Sequence, residues 1–237
     1  MASTKKIIRS IFLKELINPL WTLACLPVIF HTAYLLNEWY IVSAIGSGRG
    51  IIIRTVLFFG YGLLSLLFKV LLPFSVIGLF LRKTRKKSFI ILIVSLMFLL
   101  CGFFSFHVGQ GLRKHAFGKL AQRSTALIKA IGSFEDDHGY PPATLNRLIP
   151  EYIDAIPETG MGTYPVYKYL VGRGAEIRHN NPWVLYVEAP PGYLDWSNCI
   201  YYPRQNYPQA DYFGVFEKVG DWGLLYNRNK VFLDPPS

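Results

Sequence analysis

The stretch RKTRKKSFIILIVSLMFLLCGFFSFHVGQGLRKHAFGKLAQRSTALIKAIGSFEDDHGY, residues 82–140, separates two parts of the chain that differ in character. It opens with five cations in six residues and continues as an uncharged apolar run over residues 88–107. A helical pattern follows and stops at Gly139, because glycine readily ends a helix in the left-handed conformation. The stretch therefore predicts a membrane region before it and a folded domain after it.

The charge of the chain belongs to the part that precedes this domain. Residues 1–107 hold 12 Lys and Arg against Glu15 and Glu38, whereas residues 108–237 hold 13 basic and 13 acidic residues. Basic residues that flank apolar runs follow the positive-inside rule. The net charge of +10 therefore indicates a membrane protein rather than one that binds nucleic acid.

Three apolar runs predict three transmembrane helices within residues 18–107, at about 20–40, 56–81 and 88–107. Residues 1–17 form a basic amphipathic pattern that is typical of a helix lying on the cytoplasmic membrane surface. A signal peptide cleaved near Ser43 is the competing interpretation, but the first run is long for one. The basic N-terminus and residues 82–87 predict a cytoplasmic N-terminus and place residues 108–237 outside.

Lys69 lies inside the second apolar run, four residues before Pro73. A charge at that depth is costly and suggests a function, such as a pathway through the membrane or a contact with a partner subunit. We find no carboxylate within the apolar runs to pair with Lys69, which disfavours a proton relay. Snorkelling of the side chain or a polar contact within the helix bundle would also accommodate Lys69.

Residues 108–237 predict an α+β domain. Apolar residues from Phe117 to Phe134 recur at steps of three and four, which predicts an amphipathic helix over residues 112–138, with a kink allowed at Gly109 and Gly111. A short helix over 143–148 follows, and then strands at 166–171, 183–189, 212–219, 222–226 and 231–233, with a hairpin turn at Gly220. A long helix before successive strands indicates that it covers one face of an antiparallel sheet.

Residues 126–170 carry the turn Gly139-Tyr140-Pro141, then Leu145 and Leu148, then Ile156-Pro157 and the alternation Tyr167 to Tyr169. This order resembles the soluble part of type IV pilins and type II secretion pseudopilins. The resemblance covers about 45 of the 237 residues and implies a pilin-like fold in the envelope of a bacterium, outside the inner membrane.

The third apolar run differs from a pilin leader. Lys86-Lys87-Ser88-Phe89 is similar to the leader in its charge, but Ser88 stands where the leader peptidase requires Gly, and Ile93 stands where it requires Glu. We therefore expect no cleavage and no fibre assembly. The resemblance instead implies a pilin-like domain that stays fixed to a three-helix anchor.

No catalytic motif occurs in the sequence, which predicts a protein that is not an enzyme and has no cofactor. Residues 135–138 (EDDH) could be metal ligands, but their position at a helix end favours solvated polar side chains. A calcium site of the kind found in some pseudopilins would need acids closer together than Asp211, Asp221 and Asp234. Cys199, alone in the exposed domain, is either a buried apolar residue or half of an intermolecular bridge.

The segment 190–211 is rich in Tyr, Pro, Asn and Gln and lies between two predicted strands. Long loops in compact domains often carry function, and Tyr and Trp supply rigid contact area. The alternative is that these rings pack on the sheet and on neighbouring prolines. The candidate partner-binding residues are Tyr193, Trp196, Tyr201, Tyr202, Arg204 and Tyr207.

Two functions are consistent with these patterns. The first is a non-catalytic membrane subunit whose pilin-like domain binds a partner protein in the envelope through residues 190–211. The second is a membrane-anchored module that recognises glycan or another envelope polymer through the same aromatic segment. Transport or signalling through Lys69 is a third, less supported function.

Overall fold

The computed structural model describes residues 19–189, 197–208, 210–211 and 214–226. The chain divides into two units, one made of Met1–Asn37 and Val56–Gln110, the other of Glu38–Thr55 and Gly111–Ser237. The predicted surface helix at residues 1–17 and the predicted strand at 231–233 lie outside the described residues.

Four helices come first in the chain: α1 (Pro19–Val42), α2 (Gly48–Leu79), α3 (Arg85–Arg123) and α4 (Thr125–His138). By length and composition, α2 and α3 are long and apolar enough to cross a membrane. A crossing by α1, the first of the three predicted spans, stays a prediction. The sequence leaves open a kink at Gly109 and Gly111, and in the structure α3 runs through both residues without interruption.

Exposed apolar side chains distinguish the first part of the chain from the second. Along α2 they include Phe59, Leu63 and Phe74, each more than half exposed, and α3 adds Leu100 and Phe103. Among the described residues beyond 106, large apolar side chains are exposed at only four positions, Tyr140, Ile149, Val166 and Ile177. Contiguous apolar surface of this extent is typical of a protein face that meets lipid.

The predicted helix at 112–138 is two helices, because α3 ends at Arg123 and α4 begins at Thr125, with Ser124 between them. This serine is fully buried, and its Oγ accepts a hydrogen bond from the indole Nε1 of Trp222 at 3.1 Å. The predicted stop at Gly139 is confirmed. Gly139 has a φ of 77° and donates its backbone N–H to the carbonyl oxygen of Glu135 at 2.8 Å.

A mixed region of short elements follows α4. A 3-10 helix, Leu145–Leu148, stands where the sequence predicts a short helix, and a four-residue helix, α5 (Arg173–Glu176), was not predicted. The strands are β1 (Lys168–Val171), β2 (Trp183–Glu188), β3 (Asn198–Tyr201), β4 (Ala210–Asp211), β5 (Gly214–Val219) and β6 (Trp222–Tyr226).

The strands form one antiparallel sheet in the order β1-β2-β3-β6-β5-β4, in which β4 is a two-residue addition at the edge. The predicted α+β class is therefore confirmed. The predicted hairpin at Gly220 is confirmed as well, since Val219 pairs with Trp222 across it. Segment 190–211 is not the single loop that the sequence predicts, because β3 lies within it and pairs with both β2 and β6.

Both faces of the sheet are covered. On one face, Leu185, Cys199 and Leu224 join a core with Phe117 and Leu120 of α3 and Ile131 of α4. On the other, Val184, Tyr186, Ile200, Tyr202 and Leu225 pack with Ala175 of α5. The sequence predicts that a helix covers one face of the sheet. The segments that cover the second face were not assigned to any element from the sequence.

Candidate functional site

The candidate binding segment divides into residues that the structure describes and residues that it does not. Tyr193 and Trp196 lie outside the described residues. Tyr201 ends β3 and stacks on the indole of Trp183, with ring centroids 5.6 Å apart, on the helix-covered face. Tyr202 follows on the opposite face with no exposed area. As placed, Tyr202 offers no contact surface, because alternation along β3 directs its ring into the second core.

Tyr207 stabilises the segment that follows β3. Its ring stacks on that of Tyr202 at 5.0 Å, and its hydroxyl oxygen accepts a hydrogen bond from the backbone N–H of Tyr202 at 2.8 Å. The same hydroxyl lies 2.8 Å from the carbonyl oxygen of Asp221, to which it donates. Burial raises the pKa of Tyr207 above its ordinary value. The ring therefore acts as a neutral structural support for the turn that follows β3.

Side-chain amides join this turn to the segment before β2. Asn181 donates its Nδ2 to Oδ1 of Asn206 at 2.9 Å and accepts the backbone N–H of Arg204 at 3.2 Å. Asn206 donates in turn to the carbonyl oxygen of His179 at 2.6 Å. We call the exposed residues of these two joined segments, Ile177, Asn180, Arg204 and Asn206, the Arg204 face.

The backbone beneath the Arg204 face is strained. Among the described residues other than glycine, a positive φ occurs at His179 (59°), Asn180 (59°) and Gln205 (52°). Gln205 is held by its Nε2, which donates to the carbonyl oxygens of Tyr202 at 3.0 Å and Asp221 at 3.1 Å. Such conformations cost on the order of 1–3 kcal/mol each and persist where the surroundings impose them, often at binding sites.

A buried ionic cluster is the feature that the sequence analysis missed. Glu38 has no exposed area and forms an ion pair with Arg54. Because Glu38 lies within the first apolar run, residues 20–40, the prediction that no carboxylate lies within an apolar run is wrong. Arg113, 4% exposed, donates Nη2 to the carbonyl oxygen of Ala189 at 2.9 Å. Tyr164 lies between these charges; burial raises its pKa and Arg113 opposes that rise. The sequence signal was Glu38 itself, the one acid between residues 16 and 107.

Lys69 lies on an exposed face of α2. No described carboxylate is within ion-pair distance of it, and Glu38 pairs with Arg54 instead. An exposed position is compatible with snorkelling of the Lys69 side chain and also with a contact between Lys69 and a partner subunit.

The acids considered as metal ligands, and Cys199, make contacts within the domain. Glu135 accepts the indole N–H of Trp183 at 3.0 Å, and Asp137 accepts the hydroxyl of Tyr152 at 2.9 Å. In the part of the chain that is described, no three His, Cys, Asp or Glu side chains group to hold a metal; Asp234 lies outside it. Cys199 is fully buried in β3, and burial raises the pKa of its thiol. The intermolecular bridge considered for Cys199 is therefore incompatible with this fold.

Comparison of the chain with models of protein families, with curated proteins and with solved structures finds no match.

Proposed function

We propose that this chain is a non-catalytic integral membrane subunit whose exposed domain binds a partner protein in the cell envelope. In this proposal α1, α2 and α3 cross the bacterial inner membrane, the N-terminus is cytoplasmic and residues 108–237 form a pilin-like periplasmic domain. The apolar exposed surfaces of α2 and α3 support the anchor. Helices packed on an antiparallel sheet, and a glycine turn after α4, support the likeness to pilins.

The observation that carries the binding proposal is the strained backbone under the Arg204 face. Three non-glycine residues with positive φ, and hydrogen bonds from side-chain amides, fix the backbone that carries the exposed Arg204 before any partner arrives. A preformed surface binds more tightly because less conformational entropy is lost on association. Arginine is also enriched among the residues that contribute most to protein interfaces.

The same geometry favours a protein partner over a glycan. Recognition of sugars by aromatic stacking requires open rings, and the described rings of this segment, Tyr201, Tyr202 and Tyr207, pack against other rings of the domain. What the described segment presents outward is a guanidinium and amides, groups that suit an acidic or polar protein surface.

The proposal is tested by affinity purification of the full chain from native membranes in mild detergent. We expect a partner to co-purify at fixed stoichiometry, and Arg204→Glu to reduce its yield at least about tenfold, the equivalent of ~1.4 kcal/mol. The backbone hydrogen bond of residue 204 to Asn181 does not depend on the side chain, so the fold survives this change.

Lys129→Glu is the matched control, because Lys129 is an exposed cation on α4, away from the Arg204 face in sequence and fold. Recovery of the wild-type chain as a monodisperse species without a partner would contradict the proposal. Equal loss of partner in both charge reversals would contradict it too, since nonspecific charge would then explain binding.

A further inference from the structure

A cavity of about 210 Å³ opens in the second unit, apart from the Arg204 face. Its walls come from the end of α1 and the turn after it, from residues 112–123 of α3 and from the loop at residues 160–161. A buried water needs only ~10–15 Å³ of such volume, so the space admits a group of many atoms.

Two cations, Lys119 and Arg123, and the imidazole of His115 line the cavity. His115, Lys119 and Arg123 are four residues apart on α3, a spacing that aligns side chains on one face of a helix. None of the residues that line the cavity is acidic. Lys114, on a neighbouring face of the same helix, is instead paired with Glu217 at 2.5 Å. The cavity therefore concentrates hydrogen-bond donors and positive charge without a lining counter-charge.

Arg123 is fixed at the rim of the cavity by a glycine. Its Nη1 donates to the carbonyl oxygen of Thr159 at 3.2 Å, and a Cβ on Gly160 would lie 1.1 Å from that same nitrogen. Gly160 also has a φ of 77°, which side chains rarely adopt. A guanidinium carries five N–H donors, so donors beyond this bond remain available to a ligand.

Apolar side chains also line the cavity. Trp39 and Val42 of α1, Leu112 of α3 and Met161 are among them. The indole of Trp39 is half exposed, as is common for tryptophans that meet a lipid headgroup region. In the sequence, Lys119 and Arg123 follow the apolar run of α3 at residues 88–107. An anionic amphiphile bound here would therefore meet both cations and apolar side chains.

We propose that this cavity binds a phosphate group carried by an amphiphile, with Lys119 and Arg123 holding the phosphate and Trp39 and Val42 contacting the apolar part. A bilayer phospholipid and a soluble phosphate compound share this chemistry. The residues that line the cavity are different from those of the Arg204 face. Binding of the phosphate group and binding of a partner protein are therefore independent of each other.

The test measures adducts of the full chain by native mass spectrometry in a zwitterionic detergent. The probes are phosphatidylglycerol, a diacylglycerol of the same chain length that lacks the phosphate, and inorganic phosphate. We expect phosphatidylglycerol to be retained at least about tenfold more than diacylglycerol. Lys119→Gln should weaken that retention about fivefold, the usual effect of one cation on anionic lipid.

Lys129→Gln, which removes an exposed cation from α4, should leave retention unchanged. Retention of the lipid in the presence of excess inorganic phosphate supports a bilayer source, and its displacement by phosphate supports a soluble one. Trp39→Ala separates the two further, because it should weaken lipid and spare inorganic phosphate. Equal retention of lipid and diacylglycerol, or equal losses in Lys119→Gln and Lys129→Gln, would overturn the proposal.

Discussion

Glu38 shows how a single residue links helices of different sequence position. It belongs to α1, its partner Arg54 belongs to α2, and both act on Tyr164, which precedes β1. A buried ion pair contributes little stability compared with a pair of apolar side chains of similar size. Loss of one partner is nevertheless strongly destabilising, because it leaves an uncompensated charge. We therefore regard Glu38 as a structural residue that fixes the α1–α2 turn on the second unit.

Glu38→Gln should reduce the free energy of unfolding by about 3 kcal/mol, because Arg54, whose side chain is only 17% exposed, then loses its counter-charge. The measurement is the thermal unfolding midpoint of the purified full chain. Lys114→Gln, which breaks the exposed pair with Glu217, is the control and should cost no more than ~1 kcal/mol. Similar midpoints for the two variants would show that the Glu38 pair is not desolvated.

At the scale of elements, Ser124 lies at the junction between α3 and α4. It is fully buried beneath the sheet and accepts the indole N–H of Trp222, which is itself buried on β6. The helix break is therefore tied to the central part of the sheet through one hydrogen bond.

Ser124→Ala should destabilise the domain by about 1–3 kcal/mol, because the indole N–H loses its acceptor while it remains buried. Ser133→Ala, an exposed position within α4, is the matched control and should change the free energy of unfolding by less than ~0.5 kcal/mol. Chemical denaturation followed by tryptophan fluorescence measures both. An unchanged midpoint for Ser124→Ala would contradict the role assigned to this bond.

The sequence predicts those elements whose signals are local. β6 was predicted with its observed bounds because Gly220 marks the hairpin before it, and α4 ends at the predicted glycine. β3 was missed because four residues, NCIY, between polar and proline-rich segments give no periodic signal, and one of its two pairing partners, β6, comes more than 20 residues later in the chain. Arg204 was named from composition, whereas His179, Asn180 and Gln205 adopt positive φ through distant hydrogen bonds that no local pattern reveals.

At the scale of the whole molecule, buried tyrosines make the domain sensitive to alkali. Burial raises the pKa of Tyr167, Tyr169, Tyr201 and Tyr207 above the ordinary value of 10.0. The folded state therefore holds these protons more tightly than the unfolded state does. Their contribution to stability is complete below pH ~10 and is lost as the pH rises through the raised values in the folded state.

We expect the free energy of unfolding to fall by ~1.4 kcal/mol per pH unit above pH ~10 for each such tyrosine. The measurement is chemical denaturation at a series of pH values, followed by near-ultraviolet circular dichroism. The hydroxyls of Tyr167 and Tyr169 find no hydrogen-bond partner among the described groups, so Tyr169→Phe should keep the fold and reduce the slope. An equal slope in the wild-type chain and in Tyr169→Phe would contradict this expectation.

We propose that a membrane-anchored domain binds a partner protein through the Arg204 face, and site-specific photocrosslinking in intact membranes tests this proposal. A photoreactive amino acid replaces Ile177, an exposed residue of the Arg204 face, in one chain and Lys129 in another, so that Arg204 itself is kept, and adducts are resolved by mass. We expect one discrete adduct with a single protein from position 177 and none from position 129. The absence of an adduct at position 177, or the same adducts from both positions, would contradict the proposal.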